Sequence, residues 1–262
     1  MSMLSVDRLR KEFGGVQAVV EVSFAIEAGR IHSIIGPNGA GKTTLFNLVN
    51  GLYAPSGGRV SFLGCDVTGL RPYELAARGM ARTFQNLQVF FNMSALENVM
   101  VGCHLKSDTR LLPSMLGWPS IARGDRATRA RAVELLHEVG LDAWVDADAA
   151  AMPYGALKRL EIARALAAEP KLLLLDEPAA GLNPTETREI DRLIQRVAAA
   201  GVTVLLVEHD MRLVMDVSDR IIVLNFGRKL AEGTAQEVRR NPEVIAAYLG
   251  TAAAQGAGSR HA

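Results

Sequence analysis

The chain has 262 residues, enough for one large domain or two small ones with a sizeable core. Hydrophobic residues make up 49% and charged residues 22%, which excludes a disordered chain, and a net charge of +1 argues against nucleic acid as the main partner. Cys65 and Cys103 supply neither a disulfide framework nor a metal spacing, so a reducing compartment is expected. The start of the chain is charged and strand-like, with no secretory leader expected. No apolar run nears the roughly 18 residues needed to cross a bilayer. A soluble, cytosolic chain is the expectation.

No internal repeat is present. Strand signals open the chain at Leu4–Val6 and Val22–Ile26, and after a turn at Ala28-Gly29 at Ile31–Ile35. Gly57-Gly58 reads as a turn into a strand at Arg59–Leu63. Short strands at this spacing predict a small antiparallel sheet. Later, Leu172–Leu175, Val202–Val207 and Ile221–Leu224 are continuous apolar runs separated by helical stretches, the pattern of a buried parallel sheet. Between the halves, roughly Ser94 to Ala168, the chain reads as helical. Its clearest helix is Arg126–Val139, where Ala132, Leu135, Leu136 and Val139 share one face. The stretch His104–Arg131 carries six Lys/Arg against two Asp/Glu, either as a solvated face or as one turned to lipid head groups or an acidic partner. The tail from Thr251 to Ala262 is Ala/Gly-rich and expected to fray.

Gly36-Pro37-Asn38-Gly39-Ala40-Gly41-Lys42-Thr43-Thr44 fits the phosphate-loop pattern, with an apolar strand before it and a helix, Leu45–Leu52, after it. The glycines let successive N–H groups turn toward phosphate oxygens, and the helix N-terminus adds its positive end. Lys42 is expected to reach the β- and γ-phosphates and Thr43 to give a hydroxyl to Mg²⁺. A second motif, Leu172 to Pro178, is a buried strand ending in Asp176 and Glu177. At the carboxyl edge of a parallel sheet, Asp176 would hold Mg²⁺ through water and Glu177 would polarise the water that attacks the γ-phosphate. Adjacent acids favour hydrolysis over kinase chemistry, which keeps water out.

With both motifs in place, the chain resembles the nucleotide-binding subunit of an ATP-binding-cassette (ABC) transporter from about Leu4 to Gly250. The resemblance implies a P-loop, RecA-like α/β core with a mainly parallel sheet, an N-terminal antiparallel β subdomain and an inserted helical subdomain at about 88–168. Residues 1–250 would form one ATPase domain, with 251–262 as a tail. It also implies that Gln85, in Ala81-Arg82-Thr83-Phe84-Gln85, touches Mg²⁺ and the attacking water, and that His209, in Val207-Glu208-His209-Asp210, bonds the γ-phosphate. Phe13 stands where an aromatic stacks on adenine, the alternative being a core Phe. The signature segment is Met152-Pro153-Tyr154-Gly155-Ala156. Pro153 replaces the usual Ser and Ala156 the usual Gln, with Tyr154, Gly155 and Ala156 expected at the ATP of a neighbouring subunit. Asn183 stands where the family's D-loop has Asp.

Phe84-Gln85-Asn86, Pro178 to Pro184, Glu208 to Met211 and above all the ending Asn241 to Gly250 resemble the ATPases of branched-chain amino acid importers. The alternatives are the ATPase of a urea or short-amide importer, a lipopolysaccharide-export ATPase, or a soluble ABC ATPase that moves no solute. The resemblance implies a head-to-tail dimer, with an identical chain or a related ATPase, bound to transmembrane permease subunits on the inner face of the membrane. A periplasmic or extracellular solute-binding protein would act indirectly. Leu87, Val89, Phe90, Phe91 and Met93 would either receive the permease or pack the helical region's own core.

Overall fold

In the computed structural model, which describes residues 2–103 and 119–248, three strands are buried at every residue and set the architecture. They are β3 (Ile31–Ile35), β7 (Leu172–Asp176) and β8 (Thr203–Val207). Side chains alternate across a strand, so each strand feeds two cores at once. Leu173, Leu175, Val204 and Leu206 enter the cluster that also holds the helical region. Leu172, Leu174, Leu205 and Val207 enter the cluster beneath the antiparallel strands.

The main sheet has the order β10-β9-β3-β8-β7-β6, where β6 is Met80–Arg82, β9 is Arg220–Asn225 and β10 is Arg228–Gly233. All its pairings are parallel except β9 with β10. The second sheet is antiparallel, in the order β2-β1-β4-β5. Its strands are β1 (Ser2–Phe13), β2 (Val16–Glu27), β4 (Gly57–Phe62) and β5 (Cys65–Asp66). Ile31–Ile35, grouped with the N-terminal strands on spacing, instead pairs with β8 and β9, because all five residues are buried and need cover on both faces. Strands β1 and β2 run 12 residues each, far past their apolar segments, because their outer faces are polar. Paired left-handed kinks at Arg8 and Glu21 bend them. Gly57-Gly58 lies inside β4 rather than ahead of it.

The helices are α1 (Lys42–Val49), α2 (Pro72–Ala77), α3 (Ala95–Gly102), α4 (Pro119–Glu138), α5 (Tyr154–Leu166), α6 (Pro184–Ala199), α7 (Met211–Val217) and α8 (Ala235–Arg240). Helices α3 to α5 are inserted between β6 and β7. Ala132, Leu135, Leu136 and Val139 are all buried, packing with Leu96, Val99 and Leu160. Helix α4 starts seven residues before the expected Arg126, and α5 begins at Tyr154, directly after Pro153. The basic stretch is described only from residue 119, and residues 104–118 and the tail lie outside the described residues. No helix among the described residues is long and apolar enough to cross a membrane.

Helices α3 and α5 cross closely at Gly102, where a Cβ would sit 2.2 Å from the carbonyl oxygen of Arg164 and 2.9 Å from the Ala167 methyl. Gly102→Ala must therefore push the two helices apart, at about 1–3 kcal/mol, the range for overpacking a filled core. Calorimetry should show a Tm lowered by several degrees; an unchanged Tm would mean the crossing is loose.

Candidate active site

Strand β3 delivers the chain to Gly36 at the carboxyl edge of the sheet, between the ends of β8 and β9. A Cβ on Gly36 would lie 2.2 Å from the carbonyl oxygen of Leu224, so only glycine passes there. Gly41 turns with φ 95 against the carbonyl of Ala18, and α1 begins at the next residue. Lys42 is buried, and its ammonium donates to the carbonyl oxygens of Gly36 at 2.7 Å and Pro37 at 3.1 Å. Burial lowers its pKa, against the pull of Glu177. Pro37 and Ala40 are buried, Asn38, Gly39 and Thr43 exposed, and Thr44 half-buried. Behind the loop, the Gly36 amide faces the hydroxyl of Tyr248, whose pKa burial pushes up to about 12.

Strand β7 ends in the two carboxylates. Asp176 is buried and paired with Arg82 at 2.8 Å; burial raises its pKa, partly offset by that guanidinium. Arg82 also donates to Asn47 and lies over the rings of Phe46 and Phe84. Glu177 takes a left-handed φ of 47, a conformation that costs a non-glycine residue about 1–3 kcal/mol. The kink aims its carboxylate at two other loops. Gln85 Nε2 donates to Glu177 Oε2 at 3.0 Å, and His209 Nδ1 lies 3.7 Å from the same oxygen. Residues from the ends of β6, β7 and β8 thus meet at one atom.

Glu208, between β8 and His209, is buried and accepts hydrogen bonds from the backbone amides of Ala179, His209 and Asp210. It joins the loop after Glu177 to the loop of His209, and burial raises its pKa. Asn183 caps α6, accepting from the amides of Thr185 and Glu186, while Glu186 bonds back to the Asn183 amide. A cavity of about 500 Å³ runs along the phosphate loop between Val16, Ala18, Glu177 and Phe226.

Phe13 is not a core residue. It is 42% exposed, edge-on to Tyr53 with the Lys11 ammonium over its ring, beside rather than within that cavity. Tyr154, Gly155 and Ala156 do not line the cavity either. Tyr154 is exposed, Ala156 has its side chain in the helical core, and a Cβ on Gly155 would strike the Glu186 carboxylate at 2.6 Å. Pro153 precedes α5 and offers no side-chain cap, so the first amides of the helix have no such partner. Behind Gln85, Val89 is buried and Leu87 packs on the helical core, whereas Phe90 and Phe91 are exposed. Phe90 borders a groove of about 720 Å³ with Tyr73, Phe84, Leu87 and Val101. Asn98 anchors this loop by accepting from the Phe90 amide and donating to the Phe90 carbonyl.

Motif reading gave no role to Arg82, Glu208 and Tyr248, because Asp176, Ala179 and Gly36, which they reach, lie far away in sequence. All three stood inside quoted motifs.

The ABC transporter family model matches residues 19–180, and a model of the branched-chain amino acid ATP-binding cassette transporter matches residues 228–254. The chain is 45% identical over 251 residues to the high-affinity branched-chain amino acid transport ATP-binding protein BraF of Pseudomonas aeruginosa, covering 95% of this chain and 98% of that one. Identity and coverage are the same for the Escherichia coli protein LivG, described in the same words. The lipopolysaccharide export system ATP-binding protein LptB of Haemophilus influenzae is 33% identical over 95% of this chain and 98% of its own. Among solved structures, the ADP conformation of an ATP-binding cassette of an ABC transporter superposes with a TM-score of 0.83 at 33% identity, over 95% of this chain and 99% of that one. A dimeric cassette bound to ADP and Pi gives 0.75 at 26% identity, over 89% and 99%. The chain belongs to the ABC transporter family, as one of its ATP-hydrolysing cassette subunits.

One acid near this site is poorly accommodated. Asp191 on α6 has a buried Oδ1 with no hydrogen-bond partner. Burial, with Asp216, Asp210 and Glu208 nearby and only Arg212 opposing, raises its pKa to about 6. The folded chain therefore holds this proton more tightly than the unfolded chain, and stability falls as pH rises from about 4 through about 6. Asp191→Asn should raise Tm by a few degrees at pH 7.5, with the gain vanishing toward pH 4. Thermal melts across that range read the effect, and a gain independent of pH would refute it.

Proposed function

We propose that this chain is the ATPase subunit that energises an ABC importer for branched-chain amino acids. The observation that carries the substrate class is the match of residues 228–254, a segment the phosphate chemistry does not require. The 45% identity to BraF and LivG over nearly the whole chain supports it, against 33% for the lipopolysaccharide-export relative.

On ATP binding, Lys42 exchanges its two carbonyl partners for the β- and γ-phosphates, where its charge favours the leaving group. Glu177 takes up the proton of the attacking water, which Gln85 and His209 hold in line through the shared carboxylate oxygen. Phe13 stacks on the base. The Thr43 hydroxyl, the Asp176 carboxylate and the Gln85 amide oxygen form an all-oxygen donor set suited to Mg²⁺. Bound there, the metal would neutralise phosphate charge. Arg82 pairs with Asp176 and favours its ionised form, against the burial that opposes it.

The signature residues lie outside the chain's own cavity, and dimeric cassettes are known among the structural relatives. This supports a head-to-tail sandwich in which residues 153–156 cover the ATP of a second subunit, identical or related. With Ser replaced by Pro153, the uncapped first turn of α5 supplies backbone N–H groups and the helix dipole to that γ-phosphate. The groove bordered by Phe90, with Phe91 exposed next in the chain, takes the permease, and in this reading the subunit works on the inner face of the membrane, with the solute-binding protein acting only through the permease.

Glu177→Gln should keep ATP binding near that of the parent while lowering kcat by about 10²–10⁴, the usual contribution of a general base. Turnover within tenfold of the parent in a phosphate-release assay would remove Glu177 from that role. Reconstituted with its host's permease subunits and solute-binding protein, the parent should drive ATP-dependent uptake of leucine, isoleucine or valine; uptake of none of them would overturn the substrate class. The double variant Phe90→Asp, Phe91→Asp should hydrolyse ATP alone but fail to co-purify with the permease, and unchanged assembly would place the docking surface elsewhere.

A further inference from the structure

Helix α5 carries two charged residues in the core that phosphate chemistry leaves unexplained. Lys158 and Glu161 are 2% and 3% exposed, one turn apart on the same face. They grip the two ends of one dipeptide in the glutamine loop. Glu161 Oε1 accepts from the Phe84 amide at 3.1 Å, and Lys158 Nζ donates to the carbonyl oxygen of Gln85 at 3.2 Å. The Lys158 ammonium also lies 5.8 Å from the centre of the Tyr154 ring, one turn back on α5, and its charge reaches Asp176. Gln85 in turn reaches Glu177 through its side chain.

A continuous line therefore runs from the Glu177 carboxylate through Gln85 to Lys158 and on to the signature segment. We propose that Lys158 is a positioning residue that locks the glutamine loop to the signature segment, so that closing one ATP site of the dimer favours closing the other. The inference rests on the head-to-tail sandwich proposed above. In that arrangement Gln85 and Glu177 serve the ATP on the chain's own phosphate loop, while residues 153–156 serve the ATP on the partner's. Each chain holds parts of both sites, and a stiff tie between those parts is a tie between the sites. A buried ammonium is costly unless its hydrogen bonds are kept. Gln85 thus cannot shift alone toward a bound nucleotide: Lys158 and α5 follow it. Simple space-filling would be served better by Met, which is nearly as long and costs little to desolvate.

The test compares the parent with Lys158→Met, which keeps an unbranched chain one atom shorter and removes the donor, and Lys158→Arg, which restores a cationic donor. The readouts are the Hill coefficient for ATP in steady-state hydrolysis and ATP-driven dimerisation of each variant in a Glu177→Gln background. The parent should show a Hill coefficient above about 1.5, two sites setting the upper limit, with Lys158→Met near 1 and Lys158→Arg closer to the parent. Should Lys158→Met not fold, Lys158→Gln, with a neutral donor one atom shorter, is read the same way and should give an intermediate value. A folded Lys158→Met or Lys158→Gln with the parent's Hill coefficient and normal dimerisation overturns the tie. A Glu177→Gln chain that stays monomeric at saturating ATP, both alone and mixed with the related ATPase subunit of its host's transporter, overturns the sandwich itself, a separate failure.

Discussion

The double-sided burial of β3, β7 and β8 is the constraint on which the rest of the molecule depends. A strand covered on both faces can display polar chemistry only at its ends, and parallel strands present all their carboxyl ends at one edge. Gly36, Asp176 and Glu208 are each the last residue of such a strand or the one just beyond it. Nucleotide chemistry collects at that edge because no other part of these strands can hold it. The two cores on either side, one helical and one beneath the antiparallel sheet, hold the edge rigid.

Below the edge lies a layer of buried charge. Arg82, Asp176 and Glu161 sit where desolvation opposes ionisation, and Lys158 is buried one turn from Glu161. Such groups add little net stability compared with apolar residues of the same size, but removing one partner is expensive. Their value here is geometric. Arg82 is held by Asp176 and Asn47 and sandwiched near two aromatic rings, so the carboxylate it orients has little freedom. Glu208 does similar work through three backbone amides, joining the loops on either side of Glu177.

Contiguous features were legible in the sequence. The phosphate loop, the Asp176-Glu177 pair and the face of α4 at Ala132, Leu135, Leu136 and Val139 each appear within one stretch, because a turn type, a strand end or a 3.6-residue period leaves a local trace. Strands β1 and β2 were half legible, since the polar residues of their outer faces mask the alternation. The placement of β3 was not, because spacing says nothing about which sheet a strand joins. Arg82, Glu208 and Lys158 were invisible for a related reason: a charged residue in sequence gives no sign of burial, and their partners include Asp176, Ala179 and Gln85. Ala156 shows the converse, for the signature motif placed it at a ligand while its side chain belongs to the helical core.

The left-handed backbone at Glu177 ties chemistry to fragility. Glycine adopts that conformation freely, whereas glutamate must be forced into it by the Glu177 amide's bond to Val207 and by its contacts with Gln85 and His209. Selection for folding alone would let this position drift to glycine, which relieves the strain. That the chain instead keeps a carboxylate there, the one proposed above to polarise water, means that the proposed base is also a local weak point, held in tension by the loops around it.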